Sequence, residues 1–179
     1  SLWSTVYDEF IKHVNGKRDP IIFGVTPFHA GHSGGNRGAD SVNPSGIVDK
    51  RVIKIKSLGR VVRAFNAAIA DRTPSCFTWS SMLVVPLVGP LLHPVRLGLF
   101  GPSVITVFGD FDMATVHLNS PTGPVRAPAH PGVPILFKGC AEIRDLPSHT
   151  DPILVVIMFD GFHIDDAYAD DLVKLSDVG

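Results

Sequence analysis

Cysteine is scarce in this chain: Cys76 and Cys140 are the two present among 179 residues. Neither their number nor their spacing suits a disulfide framework or a zinc site, so a reducing compartment is expected. Net charge is nearly absent as well. Sixteen Lys and Arg against seventeen Asp and Glu leave a formal charge of −1, which argues against gripping nucleic acid by bulk charge and turns attention to where the charges sit. Neither GKS nor GKT occurs, and no G-x-G-x-x-G, so both common phosphate loops are missing and nucleotide chemistry has no support. An uninterrupted apolar run of membrane-spanning length is also missing. The segment "SSMLVVPLVGPLLHPVRLGLF" (80–100) carries Pro86, Pro90 and Pro94 with Gly89. Each proline removes a helical hydrogen bond that lipid cannot replace, so the segment reads as a core strand, a proline-rich turn and a second strand. The opening "SLWSTVYDEFIKHVNG" has charges where a secretory signal needs a continuous apolar stretch, and no export is expected.

What is present is enough apolar material for a real core. Hydrophobic residues make up 45% and charged residues 18%, the balance of a folded chain, and the length suits a single core. Trp3, Val6, Tyr7, Phe10, Ile11 and Val14 recur at helical spacing before Asn15-Gly16, which predicts an opening helix. "PIIFGVTPF" follows as a strand. Residues 29–46 form a Gly/Ser-rich connector, which divides the chain into an N-terminal helix and strand segment (1–28), a linker (29–46) and a globular domain (47–179). In "KRVIKIK" Ile53 and Ile55 alternate with Lys54 and Lys56, predicting a strand with one basic face. The next stretch, "SLGRVVRAFNAAIAD", holds a helical stripe of Leu58, Val61, Val62, Phe65, Ala68 and Ile69. Further strands are expected around 76–86, 95–100, 103–109, 114–118, 134–143 and 153–159. "PILVVIMF" lacks alternation, as a strand covered on both faces does. A terminal helix fits Ile164, Tyr168, Leu172 and Leu175. The fold class that follows is α+β, one domain with a mainly antiparallel sheet and about three flanking helices.

Several patterns invite a chemical reading. "GHSGG" (31–35) matches G-x-S-x-G at Ser33, and Asp160 and His163 follow in the order Ser, Asp, His. The nucleophile turn needs a helix leading out, and "NRGADSVNPSG" opposes one, which favours a connector over a small serine hydrolase using Ser33 and His163. His29 and His32 lack the further nitrogen or sulfur ligands of a zinc site. No catalytic residue, metal or cofactor is expected. Charge placement is more telling: Lys50, Arg51, Lys54, Lys56, Arg60 and Arg63 fall within one short stretch without an acid, whereas residues 160–177 hold six aspartates and one lysine. Opposite patches favour head-to-tail self-association or docking to separate partners.

Three segments resemble the matrix proteins of rhabdoviruses. "RVIKIKSLGRVVRAFNAAIAD" is similar to the family's basic strand running into an alanine-rich helix. "VPILFKGCAEI" is similar to an aromatic-Lys-Gly triplet leading into a strand with Glu, here Leu136, Phe137, Lys138, Gly139 and Glu142. "VRLGLFGPSVIT" resembles a strand ending in a Gly/Ser turn. The chain lacks the lysine-rich tail and the proline-rich budding motif of the animal members, differences that a shorter, plant-infecting branch could tolerate. The resemblance implies a structural protein without catalysis, found beneath the virion envelope and in the host cytoplasm. Its partners would be itself, the viral nucleocapsid and an anionic membrane surface, with no small-molecule substrate. Lys50, Arg51, Lys54, Lys56, Arg60 and Arg63 would meet nucleocapsid or anionic lipid. Leu87, Val88, Leu91 and Leu92 would touch membrane, while Trp3, Phe10 and Phe28 would anchor on a neighbouring copy across the 29–46 tether. A capsid or nucleic-acid-binding accessory role would use the same basic stretch without lipid.

Overall fold

A computed structural model describes residues 1–14, 21–25, 48–49, 51–87, 95–111, 114–120, 122–143, 152–160 and 169–179. In chain order the elements are helix α1 (Leu2–Val14), strands β1 (Ile21–Val25) and β2 (Val48–Asp49), helices α2 (Arg51–Lys54) and α3 (Lys56–Ala70) and strands β3 (Ser81–Leu87), β4 (Val95–Phe108), β5 (Ala114–Ser120), β6 (Gly123–Ala129), β7 (Ile135–Ile143) and β8 (Ile153–Phe159). Helix α4 (Ala169–Ser176) comes last. Among the described residues the eight strands form one sheet in the order β2-β1-β3-β8-β4-β7-β5-β6, with every pairing antiparallel. The expected α+β class with a mainly antiparallel sheet is therefore observed, with four helices where about three were expected.

Strand β8 is the centre of the sheet. Its seven residues are all buried, as the missing alternation predicts, because side chains on both faces meet apolar layers. Leu154, Val156 and Met158 join a core with α1, α3, β1 and the neighbouring residues of β3 and β4. Ile153, Val155, Ile157 and Phe159 join a second core, built among the described residues from strands and Phe111. Strand β4 serves both regions of the sheet: Ser103–Phe108 pairs with β8, and a bulge between Leu99 and Pro102 shifts its register against β7. A bulge bends its strand and increases local twist.

Prolines sit where the sheet tolerates a missing N–H. Pro86 in β3 lies beyond the Ser81–Val84 segment that pairs with β1. Pro124 and Pro128 fall in β6, the outermost strand. The sequence reading treated that proline-rich stretch as punctuation and passed over β6, although an edge strand is where proline is admissible.

The predicted strand over "KRVIKIK" is corrected: residues 51–54 are helical and lead directly into α3. Alternation over a few residues was a false signal. Burial falls on Val52 and Leu58, while Ile53 and Ile55 are half-buried, so helical spacing decides which side chains face the core. Gly59 permits the joint: a Cβ there would stand 2.7 Å from the Val52 carbonyl oxygen, so no larger residue lets α2 lie so close to α3.

Helix α1 is fastened to the rest of the core. Phe10 is fully buried, its ring centroid 5.8 Å from that of Phe23 and 6.1 Å from that of Phe65. Trp3 lies 5.7 Å from Phe108 and 6.2 Å from Phe65, and Tyr7 Oη donates to the Pro152 carbonyl at 2.7 Å. The expectation that Phe10 anchors a neighbouring copy is corrected by this burial, and Trp3 is half-buried against its own chain. Phe28 lies outside the described residues. Replacing Phe10 with Ala is expected to cost about 3–5 kcal/mol in urea unfolding, the usual loss for a buried aromatic ring, with the mass by light scattering unchanged. An anchor would give the reverse: intact stability and altered assembly.

Candidate anion-binding groove

The stripe that buries α3 also sets which side chains it turns to water. Leu58, Val62, Phe65 and Ile69 are buried, and Lys56, Arg60 and Arg63, spaced by four and three residues, stand exposed on a different face. Helix α4 supplies a fourth cation. Lys56, Arg60, Arg63 and Lys174 line one groove of about 560 Å³ with Val52, Ile53, Gly59, Asp177 and Val178. No acid lies in the first turn of α3, so the positive end of its dipole adds to the potential there.

None of these four cations has a hydrogen-bond or ion-pair partner among the described residues. Asp177 lines the same groove without forming an ion pair to any of them among the described residues. One aspartate of the acidic stretch, Asp177, thus lies beside three members of the basic stretch. Four cations around one concavity, without partners among the described residues, create a local positive potential on a chain of nearly neutral total charge.

The remaining basic residues of the predicted patch lie elsewhere. Arg51 belongs to the fold: its Nη2 donates to the Ile22 carbonyl at 3.3 Å, and its guanidinium sits 5.1 Å from the Phe23 ring centroid. Lys54 is exposed outside the groove lining, and Lys50 lies outside the described residues. Leu87, expected to touch lipid, is 5% exposed and packs in the second core, which corrects that expectation; Val88, Leu91 and Leu92 lie outside the described residues, as do Ser33 and His163. Asp160 accepts a hydrogen bond from Ser80 Oγ at 2.9 Å. Among the described residues there is no cluster of three metal-ligating side chains, and no helix is long and apolar enough to cross a membrane.

Sequence reasoning missed Lys174 and Asn66. Lys174 was visible as the lone lysine of the aspartate-rich end. Asn66 was visible as an amide inside the apolar stripe of α3, where a polar side chain needs partners. It has three: Nδ2 donates to the Val178 and Gly179 carbonyls at 3.2 and 2.8 Å, and Oδ1 accepts from Trp79 Nε1 at 3.2 Å. This amide holds the segment after α4 against α3 and so positions Val178 in the groove wall.

The amino end of α3 is held by Glu9. Its carboxylate accepts from Lys12 Nζ at 2.9 Å and from Ser57 Oγ at 2.8 Å, with His13 Nε2 3.7 Å away. The Lys12 ammonium is the main reason the Glu9 pKa lies below its ordinary 4.5; the Ser57 hydroxyl lowers it further, while burial opposes both.

Comparison with known proteins gives no family. No protein-family model matches the chain, and no curated protein does. Among solved structures, hydroxypropylphosphonic acid epoxidase from S. wedmorenis is similar at 12% identity and a TM-score of 0.34, covering 44% of this chain and 42% of that one. Oxalate oxidase in complex with glycolate is similar at 13% identity and 0.35, covering 54% and 55%. A protein of unknown function from Acinetobacter sp. is similar at 11% and 0.32, covering 45% and 70%. The chain spans less than two thirds of the epoxidase and oxidase chains, and likeness at this level assigns no activity. The expected viral matrix role between nucleocapsid and envelope is corrected: the similar structures named above are an epoxidase, an oxalate oxidase and a protein of unknown function, and none of them is a rhabdovirus matrix protein. The basic strand on which the resemblance began is itself helical.

A carboxylate whose pKa is lowered by folding contributes stability above its unfolded pKa and loses it as pH falls through the folded value. Urea midpoints measured from neutrality downward are expected to fall through that window below pH 4.5. Glu9→Gln should remove this component and cost about 1–3 kcal/mol at neutral pH, the range for an unmatched buried hydrogen-bonding group. An unchanged acid profile in Glu9→Gln contradicts the assignment.

Proposed function

We propose that this protein is a binding protein for a compact anionic group, phosphate or carboxylate, held in the groove between α3 and α4. The observation that carries the reading is the convergence of Lys56, Arg60, Arg63 and Lys174 on one concavity with no partner among the described residues. Cations held near one another repel, and a bound anion relieves that repulsion while accepting charge-assisted hydrogen bonds from both guanidinium groups.

A compact group suits the site better than a long polyanion. The cationic surface is local: Asp177 closes one side and Asp170 stands exposed on α4. The chain as a whole carries −1, so a nucleic acid running past the groove would find no extended cationic track in the bulk charge of the chain.

Titration with inorganic pyrophosphate tests this. Binding is expected to weaken as salt rises, because exposed charges are screened. The double variant Arg60→Gln and Arg63→Gln is expected to lower affinity by at least about tenfold, since a hydrogen bond to a charged group contributes about 1.5–3 kcal/mol. The control Arg126→Gln, on β6, should leave affinity unchanged. Equal loss in the control, or none in the double variant, overturns the proposal.

A further inference from the structure

A second cavity, of about 280 Å³, lies against the groove and is lined by Phe23, Val62, Met82, Leu172, Leu175 and the Trp79 indole among others. Val52 and Val178 line both spaces. The volume sits at the lower edge of the roughly 300–1,000 Å³ typical of small-ligand sites, and its largely apolar wall is their usual character.

The polar groups bordering this cavity are already engaged. The Asn66 amide is used by Trp79 and by the Val178 and Gly179 carbonyls, Ser80 Oγ donates to Asp160, and Ser81 has a partner of its own. A polar occupant would lose its water hydrogen bonds without replacement, whereas an apolar one would lose nothing. Gly24 adds to the wall: its φ of +89° suits glycine, and a Cβ there would collide with the Ser80 carbonyl.

We infer that the ligand is an anionic amphiphile, with its phosphate or carboxylate head in the Lys56, Arg60, Arg63 and Lys174 groove and its hydrocarbon tail in the adjoining cavity, passing over Val52 and Val178. This rests on the anion-binding reading and names the ligand class for it. Neither space alone selects such a molecule. Their shared wall does, because a head in one places a short tail beside the other.

The test compares ethyl phosphate, decyl phosphate, decanoate and decanol, all below micelle formation, by calorimetry and tryptophan emission. A buried methylene adds about fourfold in affinity, so decyl phosphate should bind at least on the order of a hundredfold tighter than ethyl phosphate, with a shift in emission that Trp79→Phe abolishes. Decanoate against decyl phosphate separates a carboxylate from a phosphate head, and decanol should bind weakly for want of one. Leu172→Phe, which narrows the cavity, should reduce the tail increment while leaving ethyl phosphate binding intact. Where that variant fails to fold, the Trp79 signal decides. Equal binding of ethyl and decyl phosphate, or an emission shift that survives Trp79→Phe, overturns the inference and leaves the groove reading standing. Binding of both phosphates that ignores the Arg60→Gln and Arg63→Gln double variant sinks the groove reading instead.

Discussion

The rotation of α3 about its own axis is the constraint on which the rest depends. Leu58, Val62, Phe65 and Ile69 must face the sheet, and Phe65 is their aromatic member: it meets Trp3, Phe10 and Phe108, with ring centroids 5.7 to 6.2 Å apart. Edge-to-face packing of this kind fixes orientation as well as burying area. Once Phe65 is seated, Lys56, Arg60 and Arg63 have one direction left to point. The cationic face is thus a consequence of the core and needs no further device to hold it.

Two polar anchors then complete the site without disturbing that core. Glu9 ties α1 to Ser57 at the amino end of α3, and Asn66 ties the residues after α4 to its middle. Buried polar groups are tolerable when their hydrogen bonds are met, and each of these is met by a segment distant in sequence. The second anchor sets the depth of both the groove and the apolar cavity, since Val178 lines each. A change at Asn66 therefore reaches the anion through backbone position, although the amide is absent from the groove lining.

Legibility in the sequence tracked how local the deciding physics was. The apolar stripes of α1 and α3 and the unalternating run of β8 were readable, because each pattern reports its own burial. Arg60 and Arg63 were readable on another face of α3 for the same reason, whereas Lys56 was assigned to a strand and is the first residue of that helix. The α2 segment was misread, since Ile53 and Ile55 alternate by type while the close approach that Gly59 permits makes the segment helical. Strand β6 was hidden by Pro124 and Pro128, which only its place at the edge of the sheet excuses. Lys174 and Asn66 acquire their roles from contacts between residues far apart, and nothing in their immediate neighbours announces them. Arg51 shows the converse: its charge marked it as a surface residue, yet its guanidinium is spent on the Ile22 carbonyl and the Phe23 ring.

The claim that α3 and α4 together form the binding site is tested most directly by mapping. Two-dimensional NMR of the full chain, followed during titration with inorganic pyrophosphate, would locate the contact without altering any side chain. The account predicts that the resonances moving first and furthest belong to Lys56, Arg60, Arg63 and Lys174, with Val52 and Val178 following. Displacements centred on Arg126 and Lys138 of the distant strands, or a uniform drift with no centre, would contradict it.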